Sequence, residues 1–221
     1  MKMLARTLAM IALILLPATV DADGIYRADQ APGTAEQIAR GKASFAMCVG
    51  CHGPTGEGQI GVGPNISSTN YLATASNDLL TKTISEGRVG TNMIPWGATL
   101  QESGVADMVA FLRSWQTTQG VELDESPLRG DEATGEKLYG EICATCHGRN
   151  GAGYSELGSG TGVGRAAFLG MATDGFLRQI IKDGKDNTAM RPFSKTSPVA
   201  VANLTDDEID GIIKYLRANA W

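Results

Sequence analysis

The sequence predicts an all-α protein built from two tandem domains. Three observations lead to this prediction: apolar residues recur at helical spacing, capping-box patterns mark the starts of helices, and the two halves of the chain repeat the same order of features. Of the 221 residues, 43% are hydrophobic and 19% are charged, as is usual for a globular protein. The length leaves room for two small domains.

Residues 1–22 have the features of a secretory signal peptide. Lys2 and Arg6 precede an apolar run from Leu8 to Leu16, and the small residue Ala22 stands at the expected cleavage site. The run is shorter than the roughly 20 apolar residues that a membrane-spanning helix needs, so we expect cleavage near Ala22 and not a retained anchor. No later stretch has spanning length. The mature chain is therefore expected to be exported and to have no membrane span.

The formal net charge of −5 narrows the range of partners. Nucleic acids and anionic membrane surfaces both favour clustered Lys and Arg. An acidic chain of this kind is not expected to bind either.

Cysteine and histidine occur in a pattern that indicates covalent haem. The chain has four cysteines and two histidines, and each histidine directly follows the second cysteine of a Cys-Xaa-Xaa-Cys pair. Disulfides or redox-active dithiols would leave the histidines without a role. A zinc site would lack a fourth ligand. In the c-type pattern both sulfurs bond to one porphyrin edge and the adjacent imidazole coordinates the iron. The sequence therefore predicts two haem c groups, one held by Cys48, Cys51 and His52 and the other by Cys143, Cys146 and His147.

A helix is predicted before each of these motifs. Each contains a glycine followed four residues later by an aromatic residue, Gly41 with Phe45 and Gly135 with Tyr139. This spacing puts both residues on one helical face. Residues 34–37 form a capping box at the start of the first helix.

A second pair of helices is predicted between the motifs and the ends of the two halves. Residues 79–93 and 176–190 align without gaps at a constant offset of 97 positions. In each segment a helix is expected to end at a glycine, Gly87 or Gly184, with a loop beyond it.

The last predicted helix of each half covers Val105 to Trp115 and Glu208 to Arg217, the second opened by a capping box at residues 205–208. The polar stretch from Gln116 to Asp131 separates the halves and is predicted to be a linker. These features give predicted domains at 23–117 and 131–221, with the linker at 118–130.

Together these features resemble class I cytochromes c, over nearly all of the mature chain and twice. The shared features are the glycine-aromatic helix, the Cys-Xaa-Xaa-Cys-His motif, a methionine-bearing loop and a C-terminal helix with an aromatic-Leu pair. The resemblance implies that in each domain a few helices wrap one covalent haem, and that the first and last helices cross at the small glycine. Tandem domains of this kind resemble periplasmic dihaem shuttle cytochromes and dihaem subunits of respiratory oxidases and dehydrogenases.

Methionine is the leading candidate for the sixth iron ligand, because no third histidine exists. Met93 and Met190 occupy equivalent repeat positions in the loop where the family places its thioether ligand. A proline follows each of them two residues later and stiffens the loop. The alternative is that these methionines only fill apolar gaps.

The two halves differ around the predicted haems. In the family, the carbonyl of a proline such as Pro64 holds the haem histidine, but the second half has no equivalent proline. Trp96 can donate its indole N–H to a haem propionate, whereas Phe193 cannot, and Arg165 could contact a propionate instead. We therefore hypothesise that the two haems have unequal potentials. Arg88 and Lys185, at matching positions, could touch propionates or steer a partner, but residues of this kind are more often solvated.

The predicted function is electron transfer in the periplasm, with single electrons passing through two His/Met-ligated haems between a respiratory donor and an acceptor protein. A dihaem subunit of a larger dehydrogenase or oxidase complex, associated with a membrane respiratory complex, is the alternative. A dihaem enzyme such as a peroxidase or thiosulfate dehydrogenase is less favoured. Such enzymes use a further histidine or cysteine as an axial ligand, and this chain has used all of its own for attachment.

Overall fold

The computed structural model describes residues 24–221, so the predicted signal peptide lies outside the described residues. The helices of the first half are α1 (Ala35–Ser44), α2 (Val49–His52), α3 (Thr69–Thr74), α4 (Asn77–Glu86) and α5 (Gly97–Arg113). Those of the second half are α6 (Glu132–Leu138), α7 (Ala144–His147), α8 (Ala166–Met171), α9 (Asp174–Asp183) and α10 (Asp206–Ala218). Short 3-10 turns cover Ala28–Gln30, Phe45–Met47 and Gly153–Glu156, and a π-helical turn covers Tyr139–Cys143. Over residues 24–221 there is no β-strand, and the all-α prediction is confirmed.

The predicted helix starts and stops are found in the structure. At α1, Thr34 Oγ1 accepts from the Gln37 backbone N–H at 3.2 Å, and the Gln37 side chain accepts from the Thr34 N–H at 3.0 Å. α10 begins with the equivalent capping box at Thr205. Helices α4 and α9 end at Gly87 and Gly184, whose φ values of 66° and 67° favour glycine.

Two predicted elements need correction. The last helix of the first half begins at Gly97, not at Val105, and ends at Arg113. A kink at Gln101, where φ is 59°, separates its first turn from the rest of the helix. In the second half α6 ends before Tyr139, which instead begins the π-helical turn, although its ring remains buried.

The first and last helices of each half cross at a glycine, as the resemblance implied. A Cβ added to Gly41 on α1 would lie 2.0 Å from the Asp107 carbonyl oxygen on α5. A Cβ added to Gly135 on α6 would lie 2.0 Å from the Gly211 carbonyl oxygen on α10. Backbone therefore packs directly on backbone at both crossings, and no larger residue fits without moving a helix.

Equivalent arginines tie each last helix to the short helix before α4 or α9. Arg113 donates to the Leu72 carbonyl at 2.6 Å and also to that of Ala75. Arg217 donates to the Ala172 carbonyl at 2.6 Å and also to that of Leu169. The four carbonyls lie in pairs 97 positions apart, so the repeat extends into the hydrogen-bond network of the core.

The predicted linker packs against the folded halves. Arg27 donates to the Val121 carbonyl at 2.6 Å and to the Ala73 carbonyl at 2.9 Å, which joins the N-terminal segment, the linker and α3. Further along, Glu125 accepts from the Gly175 N–H at 2.9 Å. The polar composition of residues 116–131 did not predict these contacts, because most of them use backbone groups.

Candidate functional site

Each Cys-Xaa-Xaa-Cys-His motif lies on one short helix. Cys48 and Cys143 are the N-cap residues of α2 and α7, and His52 and His147 are the last residues of those helices. No disulfide joins Cys48 to Cys51 or Cys143 to Cys146. Across the described residues 24–221, no three His, Cys, Asp or Glu side chains cluster as metal ligands, which gives the zinc alternative no support.

A backbone carbonyl orients each imidazole. Nδ1 of His52 lies 2.9 Å from the Pro64 carbonyl oxygen, and Nδ1 of His147 lies 2.8 Å from the Thr161 carbonyl oxygen. With the Nδ1 proton donated to a carbonyl, the lone pair of each ring is on Nε2, the form that binds a metal. Sequence reasoning left the partner of His147 open. Thr161 lies 97 positions after Pro64, so the repeat offset could have identified it.

The loops that carry these carbonyls pass close to the motifs because they contain glycine. A Cβ on Gly63 would lie 2.6 Å from the Cys51 carbonyl oxygen. A Cβ on Gly160 would lie 2.8 Å from the imidazole of His147. These glycines therefore let each loop approach the histidine closely enough to hold it.

Met93 lies in an apolar pocket with the first motif. The lining includes Cys48, His52, Met93, Trp96, Phe45, Ile66, Ile84, Leu100, Met108 and Leu112. Trp96 lines the same pocket, and its backbone N–H donates to the Ile84 carbonyl at 3.0 Å. The structure brings four of the predicted site residues of the first half to one apolar space.

The loop that carries Met190 has the same hydrogen bonds as the loop that carries Met93. The Met93 carbonyl accepts from the Arg88 N–H at 2.7 Å, and the Met190 carbonyl accepts from the Lys185 N–H at 2.7 Å. A threonine two residues before each methionine accepts from its backbone N–H, at 3.1 Å for Met93 and 3.0 Å for Met190. Both methionines are therefore presented by the same turn.

Burial sets the protonation of the motif residues. It lowers the pKa of His52 and of His147, so both imidazoles are neutral at physiological pH, as ligation requires. Lys185 adds to this lowering at both rings, whereas Arg88 adds to it only at His52. Burial also raises the pKa of Cys48, and it raises that of Cys143 to about 12.

The expectation that Arg88 and Lys185 are solvated is wrong, because both point into the interface between the halves. The Arg88 guanidinium lies 4.5 Å from the ring centroid of Phe168 in the second half. Reciprocally, the Lys185 ammonium lies 4.4 Å from the ring centroid of Tyr71 in the first half. Tyr71 and Phe168 are themselves 97 positions apart. Each domain therefore places an equivalent cation over an equivalent aromatic ring of the other domain.

The interface leaves buried cationic groups without an anion. Nε of Arg88 and Nε of Arg165 are buried and have no hydrogen-bond partner among the described atoms. Burial also lowers the pKa of Lys185 to about 7. These groups fit a cofactor that carries carboxylates, because a buried cation with no anion beside it raises the free energy of the folded state. Together with the thiol pairs and the apolar pocket, they fit haem c, whose propionates are carboxylates. One haem would be attached through Cys48 and Cys51, and the other through Cys143 and Cys146.

Two helical domains, each with crossed terminal helices, a haem-attachment helix and a methionine loop, define a tandem class I c-type cytochrome. The chain belongs to the family described as cytochrome c oxidase, cbb3-type, subunit III, whose model matches residues 36–112 and 130–216. Covalent haem c is the cofactor that this family implies.

Curated relatives and solved structures agree with this assignment. The chain is 29% identical to the cbb3-type oxidase subunit FixP of Azorhizobium caulinodans over 76% of this chain and 57% of that protein. It is 30% identical to CcoP of Rubrivivax gelatinosus over 74% of this chain and 51% of that protein. The chain thus spans about half the length of these relatives. Cytochrome c4 of Thiocapsa roseopersicina is 23% identical over 82% of this chain and 91% of its own length.

Among solved structures, one chain of the Kuenenia stuttgartiensis reducing HAO-like protein complex Kustc0457/Kustc0458 is similar at a TM-score of 0.51. It is 25% identical, and the match covers 82% of this chain and 96% of that chain. Over residues 24–221, no helix combines the length and apolar character needed to cross a membrane.

Proposed function

We propose that this protein carries single electrons through two covalently bound haems, each ligated by histidine and methionine, between a respiratory donor and an acceptor protein in the periplasm. His52 and Met93 would ligate the first iron, and His147 and Met190 the second. The haem-binding domains would comprise residues 23–117 and 131–221, joined at 118–130. Residues 1–22 would direct export.

The observation that carries the proposal is the paired geometry of the motifs. In both halves a carbonyl holds Nδ1 of the motif histidine, and a turn with the same hydrogen bonds presents a methionine. Haem c supplies a one-electron Fe(III)/Fe(II) couple, and thioether ligation raises its reduction potential. The residues of this chain contribute attachment, fixed axial ligands and an apolar enclosure.

Fixed ligands on both faces favour a carrier over a catalyst. A six-coordinate iron has no open position for a substrate, and the chain has no histidine or cysteine left to act as an alternative axial ligand at a working haem. An electron received from a donor therefore leaves to an acceptor with no bond made or broken at the protein.

Spectroscopy of the oxidised holoprotein tests the ligand assignment. We expect two low-spin haems and a thioether-to-Fe(III) charge-transfer band, half of which is lost in Met93→Ala and half in Met190→Ala. Met108→Leu is the matched control, because Met108 lies in the same pocket but on α5, and it should keep the full band. A high-spin haem in the unmodified protein, or a band unchanged by either alanine variant, contradicts the proposal.

The family assignment and the relatives named as oxidase subunits favour a second candidate, a permanent electron-transfer subunit of a larger complex. The chemistry would be the same, but the protein would not diffuse between partners. Purification from native soluble and membrane fractions distinguishes the two. Co-purification at fixed stoichiometry with an oxidase or dehydrogenase indicates a subunit, and recovery as a free protein indicates a shuttle.

A further inference from the structure

We propose that Lys185 of the second domain is a positioning residue shared by both redox centres. This inference rests on the proposed function, in which each centre holds a haem. Lys185 makes one contact to each centre. Its backbone N–H donates to the Met190 carbonyl at 2.7 Å, and its Nζ donates to the Asn65 carbonyl in the first domain, also at 2.7 Å.

The contact at Asn65 reaches the turn that holds the first histidine. Asn65 directly follows Pro64, whose carbonyl lies 2.9 Å from Nδ1 of His52. Lys185 therefore links the methionine loop of the second centre to the histidine-holding turn of the first. The link ends one hydrogen bond from Met190 in the second domain, and one residue plus one hydrogen bond from His52 in the first.

The surroundings of Lys185 hold its ammonium in place. The ammonium packs over the Tyr71 ring, 4.4 Å from its centroid. The neighbouring Asp186 is committed elsewhere, because its carboxylate accepts from Ser68 Oγ and from the N–H groups of Thr69 and Asn70. A charge-assisted hydrogen bond to a carbonyl is then the main polar interaction left to Lys185.

The position of Lys185 also gives its charge access to both centres. Its ammonium is bonded to the turn that holds His52, and its backbone is part of the turn that presents Met190. A nearby positive charge favours Fe(II), which carries one positive charge fewer than Fe(III). A unit charge in a partly buried site changes such an equilibrium by about tenfold at separations on the order of 10 Å.

Spectroelectrochemical titration of the holoprotein tests the inference. Below the Lys185 pKa of about 7, where the ammonium is charged, we expect Lys185→Met to lower the reduction equilibrium constants of both haems about tenfold, which is about 59 mV for a one-electron couple. The two waves are assigned with Met93→Ala and Met190→Ala. Lys185→Arg keeps the charge and should restore both potentials to within about twofold in equilibrium constant.

Lys42→Met, which replaces an exposed lysine on α1, is the matched control and should lower neither potential. A shift of one wave only in Lys185→Met, or of neither, overturns the inference. If Lys185→Met does not fold, Lys185→Gln replaces it with the same expected fall in both waves. Failure of the proposed function is distinguishable, because the unmodified protein would then lack two methionine-ligated haems before any lysine is changed.

Discussion

Replacing Gly41 by alanine tests whether the crossing of α1 and α5 depends on direct backbone contact. The added Cβ would lie 2.0 Å from the Asp107 carbonyl oxygen and 2.8 Å from Cβ of Phe111. Neither neighbour can rotate away, because one is backbone and the other is fixed to its own helix. The helices must therefore separate by about 1 Å, a gap at which contacting atoms lose roughly a quarter to a half of their dispersion attraction.

The expected loss of stability follows from two opposing effects. Overpacking of a core usually costs about 1–3 kcal/mol, and a rigid backbone clash belongs at or slightly above the upper end of that range. Alanine in place of glycine inside a helix contributes about 1 kcal/mol in the other direction. We therefore expect Gly41→Ala to lower the free energy of unfolding by about 2 kcal/mol.

Denaturant unfolding of the holoprotein, followed by far-UV circular dichroism, measures this change. Gly170→Ala on α8 is the matched control, because a Cβ there meets no atom within 4 Å. That variant should be as stable as the unmodified protein or about 0.5 kcal/mol more stable. If Gly41→Ala behaves like Gly170→Ala, the crossing does not require glycine and the packing argument is refuted.

Two further predictions concern the second haem motif and the interface. Gly160→Ala pushes a methyl group against the imidazole of His147, so we expect nuclear magnetic resonance or electron paramagnetic resonance spectra to change at the second haem alone. At the interface, burial by itself raises the pKa of Asp186, but hydrogen bonds from Asn70 and its neighbours outweigh this and leave the pKa below 3.8. A lowered folded-state pKa stabilises the fold at pH values above the unfolded-state pKa, so stability should fall as the pH drops below that value. Asp186→Asn should weaken the acid dependence of denaturant unfolding, and an unchanged dependence would contradict the prediction.

The elements that were predicted correctly are those whose signal lies in residue types at fixed spacing. The Cys-Xaa-Xaa-Cys-His motifs, the capping boxes at Thr34 and Thr205, and the glycine helix ends can all be read locally. The partner of His147 could not be read in this way, because a backbone carbonyl comes from any residue and Thr161 bears no resemblance to proline. Its position in the repeat was the available signal.

The contacts between the halves were beyond local reasoning for a different physical reason. A lysine is ordinarily solvated, and Lys185 becomes half-buried only because the second domain places it against Tyr71 of the first. The same holds for Arg113. Its repeat equivalent, Arg217, could be recognised in the sequence, but the backbone carbonyls to which each arginine donates could not. Such roles depend on residues distant in sequence that only the tertiary structure brings together.

The interface also predicts which haem has the higher potential. Its cations Arg88 and Lys185 are paired by the repeat, but they do not act equally on the two motif histidines. Both cations lower the pKa of the His52 imidazole, whereas only Lys185 lowers that of His147.

Because positive charge favours Fe(II), we expect the haem at His52 to have the higher potential, so that electrons pass from the second domain to the first. A redox titration in which each wave is assigned with Met93→Ala and Met190→Ala measures the order. One indistinguishable potential, or the reverse order, would show that the differences at Pro64, Trp96 and the interface do not determine the direction of electron flow.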